Sequence, residues 1–566
     1  MFLFRYCIAC LIGCLGGAAY AQSTFLPTQM PTYHLIDRIE IKSGQLDTAY
    51  LFTSVKPYTR FAAVLLTESM DDMQNVQFRQ MDRHNQYYIY KDNNEWTDWG
   101  LVKSKKPFLK KLYQYPADMA RIQETGDFLL KINPVLHMQL GKEQSANAIR
   151  YINTRGLEVR GMVNEKLGFY GLLTDNQVSY PNYVNDYITQ QNAVPGEGRF
   201  KPFESMLGDS LFARGQDYFH ARGYITFQPL ERIRIQFGHD RNFIGNGVRS
   251  LLLSDFSNNY LFLKLNTQVW RLNYQNLFMQ LTGQYRNAAD GLLPVKYAAM
   301  HHLSMNLTRR LNIGIFEGVV FGRENNHFEL NYLNPIIFYR AIEYHIGSPD
   351  NVILGLDYKY NFLKHFSLYG QFVVDEFKFT EITKRTGWWA NKLGAQAGLK
   401  YIDVAGISNL DAQVEFNIVR PYTYTHNTET SNYTHYNQPL AHPLGANFRE
   451  MLAVLRYKPH RLLDLKLNLL YAQRGADADS VNHGGNIFLL NTLNRPQDYN
   501  NTLLQGNKTN ILLADFLLSF MWKHNLWLDF TYTYRTQTAQ ANPQNQQTHF
   551  WGLGLRLNMA RKEMLF

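Results

Sequence analysis

From Asp127 to Phe566, short segments in which apolar and polar residues alternate follow one another, and this constrains the fold more than any motif. In Glu231–Arg286, Ile233, Ile235 and Phe237 alternate with Arg232, Arg234 and Gln236, and a strand sends the two sets to opposite faces. In 352–360, Val352, Leu354, Leu356, Tyr358 and Tyr360 oppose Ile353, Asp357 and Lys359. In 527–535, Leu528, Phe530, Tyr532 and Tyr534 oppose Asp529, Thr531, Thr533 and Arg535. In 551–557, Trp551, Leu553, Leu555 and Leu557 oppose Gly552, Gly554 and Arg556. A soluble sandwich shows such alternation in a few strands. Here it recurs with starts near 127, 149, 165, 217, 231, 258, 272, 296, 311, 350, 365, 392, 408, 447, 462, 509, 525 and 546, separated by turns rich in Gly, Asn, Asp and Pro. That is about 18 segments, an even number, as in single-chain bacterial barrels. The fold class is an all-β transmembrane barrel of about 18 antiparallel strands, with a small, mostly helical N-terminal element and helical inserts.

Composition agrees with a chain that is half lipid-facing and half polar. It is 45% hydrophobic and 14% aromatic, yet its mean hydropathy is −0.34. No internal run approaches the roughly 20 apolar residues of a spanning helix. Met1–Ala21 reads as a cleavable secretory signal, with Arg5, an apolar run Cys7–Ala18 and the A-x-A site Ala19-Tyr20-Ala21. A lipobox reading of Leu11–Cys14 competes with it, but the apolar run continues past Cys14 to the A-x-A site. All three cysteines (Cys7, Cys10, Cys14) lie in this segment, so the mature chain has no disulfide framework and no thiolate metal site or nucleophile. The formal net charge of +10, one lower without Arg5, suits anionic lipid headgroups, an acidic polymer or plain solubility.

Residues 22–32 read as a linker and 33–122 as a mostly helical plug or cap. Within the latter, Pro57–Met70 and about 94–122 read as helical, and Tyr33–Gly44 as a short strand or helix. Residues 33–122 are too thin a core to stand alone and belong with the barrel, 127–566. Lys103, Lys105, Lys106, Lys110 and Lys111 form a solvated face or a contact for phosphate or acidic glycan. The connections at about 179–216, 421–446 and 474–508 are long, as outer loops are. The second carries Tyr422, Tyr424, Tyr433 and Tyr436 among Asn, Thr and His, either a mobile polar loop or a sugar-binding surface of flat rings and amides. Asn331–Gly347 reads as a helical insert that enters the lumen or caps an end. Inward-facing charges such as Glu158, Arg160, Arg232, Arg234, Lys264, Asp357, Lys359, Asp375, Asp515, Arg535 and Arg556 form ion-pair networks in a filled lumen, or a basic track for an acidic ligand.

Gly245-Asn246-Gly247 lacks the third glycine and the βαβ setting of a dinucleotide loop. His301 and His302 are adjacent on a strand and point to opposite faces, so they cannot chelate one metal together. His239, Asp240, Ser250 and Ser254 cluster in sequence only, which does not make a catalytic constellation. We expect no enzyme activity, no cofactor and no metal.

The segments 238–260 (GHDRNFIGNGVRSLLLSDFSNNY), 311–344 (with Glu317 and YLNP), 350–360 (DNVILGLDYKY) and 367–377 (SLYGQFVVDEF) resemble the Wzi-type capsule-assembly family. LIDRIEIKSG and TSVKPYTRFA resemble its RemB-like members from gliding bacteria. Ile244 and Asn246 stand where the family pattern has an aromatic and a proline. The resemblance implies an 18-stranded outer-membrane barrel of a Gram-negative bacterium that assembles or attaches capsular or extracellular polysaccharide without catalysis. Arg241, Asn242, Glu317, Asp375 and Glu376 match its motif positions; Glu317, Asp375 and Glu376 are expected to organise the lumen. Arg232, Arg234, Arg241, Asn242 and the four tyrosines are the candidate ligand contacts. The expected partners are outer-membrane lipid, an acidic surface polysaccharide and other envelope or motility proteins, with no nucleic acid. The alternatives are a part of gliding or adhesion machinery and a passive channel.

Overall fold

The computed structural model describes residues 23–47, 51–73, 76–124, 127–144, 146–164, 166–204, 211–285, 292–336, 338–347, 350–478, 480–540 and 546–566. The signal at 1–21 lies outside the described residues.

Eighteen antiparallel strands close into a barrel. They are β1 (Phe128–Glu143), β2 (Arg150–Val163), β3 (Leu167–Ser179), β4 (Gly215–Leu230), β5 (Ile233–Asp240) and β6 (Tyr260–Val269). Next come β7 (Leu272–Thr282), β8 (Val295–Asn306), β9 (Leu311–Phe321), β10 (Asn351–Phe362), β11 (Phe366–Glu376) and β12 (Lys392–Tyr401). The last are β13 (Leu410–Val419), β14 (Phe448–His460), β15 (Leu463–Ala476), β16 (Asn507–Lys523), β17 (Leu526–Ala539) and β18 (Gln546–Leu557). Each pairs with the next, and β18 closes on β1 from Leu557↔Leu136 to Phe550↔Glu143. Closure satisfies every wall peptide between strands, the condition for crossing hydrocarbon. On β1, Met138 and Leu140 are exposed to the outside while Lys131, Asn133, His137 and Gln139 are buried inside. One end carries short turns such as 163–167 and 523–526. The other carries the connections 180–214, 241–259, 322–350, 420–447 and 477–506. In barrels of this kind the short turns are periplasmic and the long loops outward.

The N-terminal helices α1 (Thr32–Ser43), α2 (Arg60–Glu68) and α3 (Gln80–Asp92) fill the short-turn end of the lumen. Thr59 caps α2 by accepting from the Ala62 N–H at 3.2 Å, and Gly44, at φ +67°, ends α1. Leu35, Ile36, Ala62, Leu66 and Ile89 pack together and against Met521 and Trp527 of the wall. Polar contacts pin the bundle. Arg38 joins Asp82 and Asp403 at 2.9 Å each and also Asp411; Glu40 meets Lys359 at 2.5 Å, and Asp37 meets Lys400 at 2.5 Å. Tyr33–Gly44 is therefore helix rather than strand. The expected helix over 94–122 is corrected: after a single turn at Asp98–Gly100 the chain is irregular, and Ala120–Glu124 is a strand paired with Phe128–Ile132. Pro107 and Pro116 break helical continuity there.

Two other segments depart from the sequence reading. The insert after Pro335 does not enter the lumen. Its helix α5 (Tyr339–Ile346; α4, Asn182–Gln191, lies in the preceding long connection) packs on the outer wall over Phe278, Tyr297, Val319 and Phe321. Glu317 is on that outward face too, accepting from the Arg340 N–H at 3.2 Å, so its assignment as a lumen organiser is corrected. His302 pairs with Asp357 inside at 2.6 Å, and His301 meets Tyr339 outside at 2.6 Å, the opposite faces that adjacency on a strand requires. After β18 the chain turns back into the lumen: Arg561 pairs with Asp515 at 2.8 Å, Lys562 with Glu197 at 2.8 Å, and the Phe566 ring is buried beside Tyr187.

Candidate functional site

The outer end of the lumen is shut by the long connections. Residues 241–259 run inward until Ile244, Leu251, Leu252 and Leu253 are fully buried. Gly245 adopts φ +137°, which favours glycine, and its N–H donates to Ser54 O at 2.7 Å. Val55 and Lys56 pair with Ile244 and Phe243, so the N-terminal unit and this loop meet inside the barrel. The wall holds the loop through side chains that accept its N–H groups. Glu415 accepts from Val248 at 2.8 Å and Arg249 at 3.1 Å, and Gln371 accepts from Leu251 at 2.7 Å. A Cβ on Gly247 would sit 2.4 Å from the Glu415 carboxylate, so this cradle needs glycine.

The 421–446 segment packs over that loop. Tyr424 and Tyr433 stack at 5.6 Å and donate to Leu251 O at 2.7 Å and Leu252 O at 2.6 Å. Tyr422 donates to Asn482 O at 2.8 Å. Burial raises the Tyr424 and Tyr433 hydroxyls far above the usual phenol range, so both stay donors. Asp375 is buried and accepts from the Tyr424 N–H at 2.8 Å, whereas Glu376 sits at the rim against Lys392 at 3.0 Å.

Several expected ligand contacts are thereby corrected in position. Tyr422, Tyr424 and Tyr433 are almost wholly buried and present no face to solvent; Tyr436 alone of the four is partly exposed. Their hydroxyls supply donors that the inward-folded backbone requires. Arg232 lies in the two-residue turn between β4 and β5, exposed, not in the lumen. Arg234 is inward, with Gln228 Oε1 at 3.4 Å. Arg241 ties two connections together through Asn259 at 2.9 Å and Glu197 at 3.6 Å; buried Asn242 accepts from Lys264 at 3.0 Å. Both act as struts.

One exposed outer surface is built elsewhere, from 384–389 and 492–500. The Trp389 N–H donates to Asp498 O at 2.9 Å, Asn500 to Thr386 O at 2.8 Å and Asn501 to Gly387 O at 2.8 Å. Arg495 lies 3.9 Å over the Trp389 ring and bonds Asp498. Around this join Lys384, Arg385, Asn494, Gln497, Tyr499 and Asn500 are exposed, with Trp388 half-buried beside them. Rings, amides and cations thus share one face. Sequence reading marked 474–508 as a long loop but weighted the tyrosine-rich neighbour. The signal it passed over was the Trp388-Trp389 pair in the short connection that 492–500 pairs with.

A closed 18-stranded barrel with an apolar outer belt, a polar inner face and a lumen filled from both ends is an occluded outer-membrane barrel. The family model for capsule assembly protein Wzi matches residues 145–549, and the chain belongs to that family. Among solved structures it is similar to Wzi of Escherichia coli, described as an outer-membrane protein involved in group 1 capsule assembly and a carbohydrate-binding β-barrel. That match is 12% identical, covers 95% of this chain and 100% of that one, and has a TM-score of 0.57. OccAB2 of Acinetobacter baumannii (9% identity, 76% and 97% covered, TM-score 0.42) and OccK8 of Pseudomonas aeruginosa (9%, 76% and 97%, 0.40) are also similar. None of the curated proteins matches.

Proposed function

We propose that this protein binds an acidic polysaccharide at the outer face of the membrane and takes part in its attachment or assembly, without catalysing a reaction. The observation that carries the reading is the outer end itself. The lumen is closed there by buried loops, and one exposed face, where 384–389 joins 492–500, brings Trp388 and Tyr499 together with amides and the cations Lys384 and Arg385. Aromatic faces cover sugar C–H surfaces, amides serve hydroxyls, and cations serve uronate or phosphate groups. Membership of the Wzi family, and the printed description of the Escherichia coli protein as carbohydrate-binding, agree with it. Export through the signal at 1–21 to the outer membrane of a Gram-negative cell belongs to the same reading.

The test is a deletion strain complemented with wild type or with W388A/Y499A. Polymer made but shed in the deletion strain, and partly shed with the variant, is expected. Normal surface retention without the protein would overturn the reading. Surface spreading lost with polymer intact would point instead to motility machinery. Conductance in a planar bilayer is expected to be near zero.

A further inference from the structure

The two fillings of the lumen leave a space between them. A cavity of about 350 Å3 lies beside the Lys56–Phe243 pairing, floored by α1 at Tyr33, His34 and Asp37. Arg249 and Phe256 of the outer loop roof it, and the 560–565 segment and the β12–β18 wall form its sides. That volume falls in the range of small-molecule sites, about 300–1,000 Å3. Its lower end reaches Lys458 and Asp464, which flank the β14–β15 turn, where His460 and Arg461 are exposed. The chamber therefore extends toward the short-turn rim and is roofed on the long-loop side.

Its charge is unbalanced. Nine lysines and arginines line it against five aspartates and glutamates. Seven of the cations are ion-paired, Lys400 to Asp37 at 2.5 Å and Arg561 to Asp515 at 2.8 Å among them. Lys56 and Arg456 form no ion pair or hydrogen bond among the described residues. Lys56 Nζ rests 4.6 Å over the Phe243 ring, and Arg456 stands between Asp411 and Lys466 on the neighbouring strands. Burial, with Lys400 alongside, brings the Lys56 ammonium down to about 8, the behaviour of a cation short of counter-charge. Both side chains are partly exposed, and two cations without an ion pair facing one cavity are the pattern of a site completed by an anion.

We propose that this chamber binds a small anionic ligand bearing a carboxylate or phosphate group, with Lys56 and Arg456 as its counter-charges. The guanidinium fork suits either group bidentately, and Phe243 and Tyr33 offer an apolar wall to the rest of the ligand. The site is separate from the outer aromatic surface, so its failure leaves the polysaccharide reading standing.

Calorimetry on the full-length folded protein in detergent, titrated separately with inorganic phosphate and with glucuronate at low chloride, tests it. Saturable binding of one or both is expected, and the anion that binds identifies the source. Lys56→Gln and Arg456→Gln are each expected to weaken binding about tenfold or more, about 1.4 kcal/mol per tenfold. Lys142→Gln, exposed on the outward face of β1, should leave it unchanged. Should a lumen variant fail to fold, wild-type thermal unfolding read against anion concentration still decides, since a ligand specific to the folded state raises the midpoint. No saturable binding with no rise in the midpoint, or binding unchanged in both lumen variants, would overturn the proposal.

Discussion

The two ends of the lumen are closed by different physics. At the short-turn end the helices are tied to the wall by charge: one guanidinium, Arg38, serves Asp82, Asp403 and Asp411, while Lys359 and Lys400 meet Glu40 and Asp37. At the outer end ion pairs such as Arg249–Glu450 and Arg241–Glu197 accompany a closure made chiefly of hydrogen bonds to main-chain groups over an apolar core. Tyr424 and Tyr433 donate to main-chain oxygens, wall amides and carboxylates receive loop N–H groups, and Leu251, Leu252 and Leu253 are fully buried. Buried ion pairs fix position strongly but depend on every partner, because loss of one leaves a charge stranded. Neutral bonds over an apolar core degrade one at a time. The lower closure should therefore open as a unit, and the outer one should not.

The largest expected effect is Arg38→Met, which leaves Asp82 and Asp403 to share Lys42, and Asp411 with His34, and costs the lower unit about 3–5 kcal/mol. Hydrogen exchange should rise in α1 and α3 while 421–446 stays protected; equal exposure of both ends would break the comparison. Acid comes next. Burial alone would raise the Glu95 carboxyl, but Arg160 and Lys131 outweigh it and hold it at about 2; Lys400 and Lys359 hold Asp37 well below the usual carboxylate range. Carboxyls depressed in the folded state contribute stability that is complete above their unfolded values near 4 and lost as pH falls through the folded ones. Glu40, raised by burial, runs the other way. Proteolysis between pH 6 and 2.5 should therefore cut the helical unit first, with the 421–446 segment resistant.

Tyr433→Phe should cost the outer closure about 1–3 kcal/mol by leaving Leu252 O unmet, with little dependence on salt. Hydrogen exchange at 250–253 measures it, and strong salt dependence of the loss would count against a main-chain hydrogen bond as its cause.

The barrel was legible in the chain because period two is local: each strand start read from alternation falls within about two residues of the observed one, as at 128, 311 and 546. The inward charges were legible for the same reason, except Arg232, which lies in a turn where alternation no longer assigns a face. The site was not. Tyr422, Tyr424 and Tyr433 look like an exposed sugar-binding loop because Tyr, Asn and Thr are what such loops contain, and also what an inward-folded loop needs to satisfy its peptides. Glu317 sits in a run whose parity is ambiguous, with Glu317, Val319 and Phe321 outward, Gly318 and Val320 inward, and only the packing of α5 tells the faces apart.

Sequence by itself determined the strands, their number and, outside ambiguous runs such as the one holding Glu317, which face a wall residue takes, since these follow from alternation and from the demand that every peptide in lipid be paired. Tertiary structure alone decided what fills the lumen: that the N-terminal helices and the 241–259 loop meet at Lys56 and Phe243, that α5 lies outside, and that Trp388 and Tyr499 share one outer face. Those are contacts between residues far apart in the chain, and no local period encodes them.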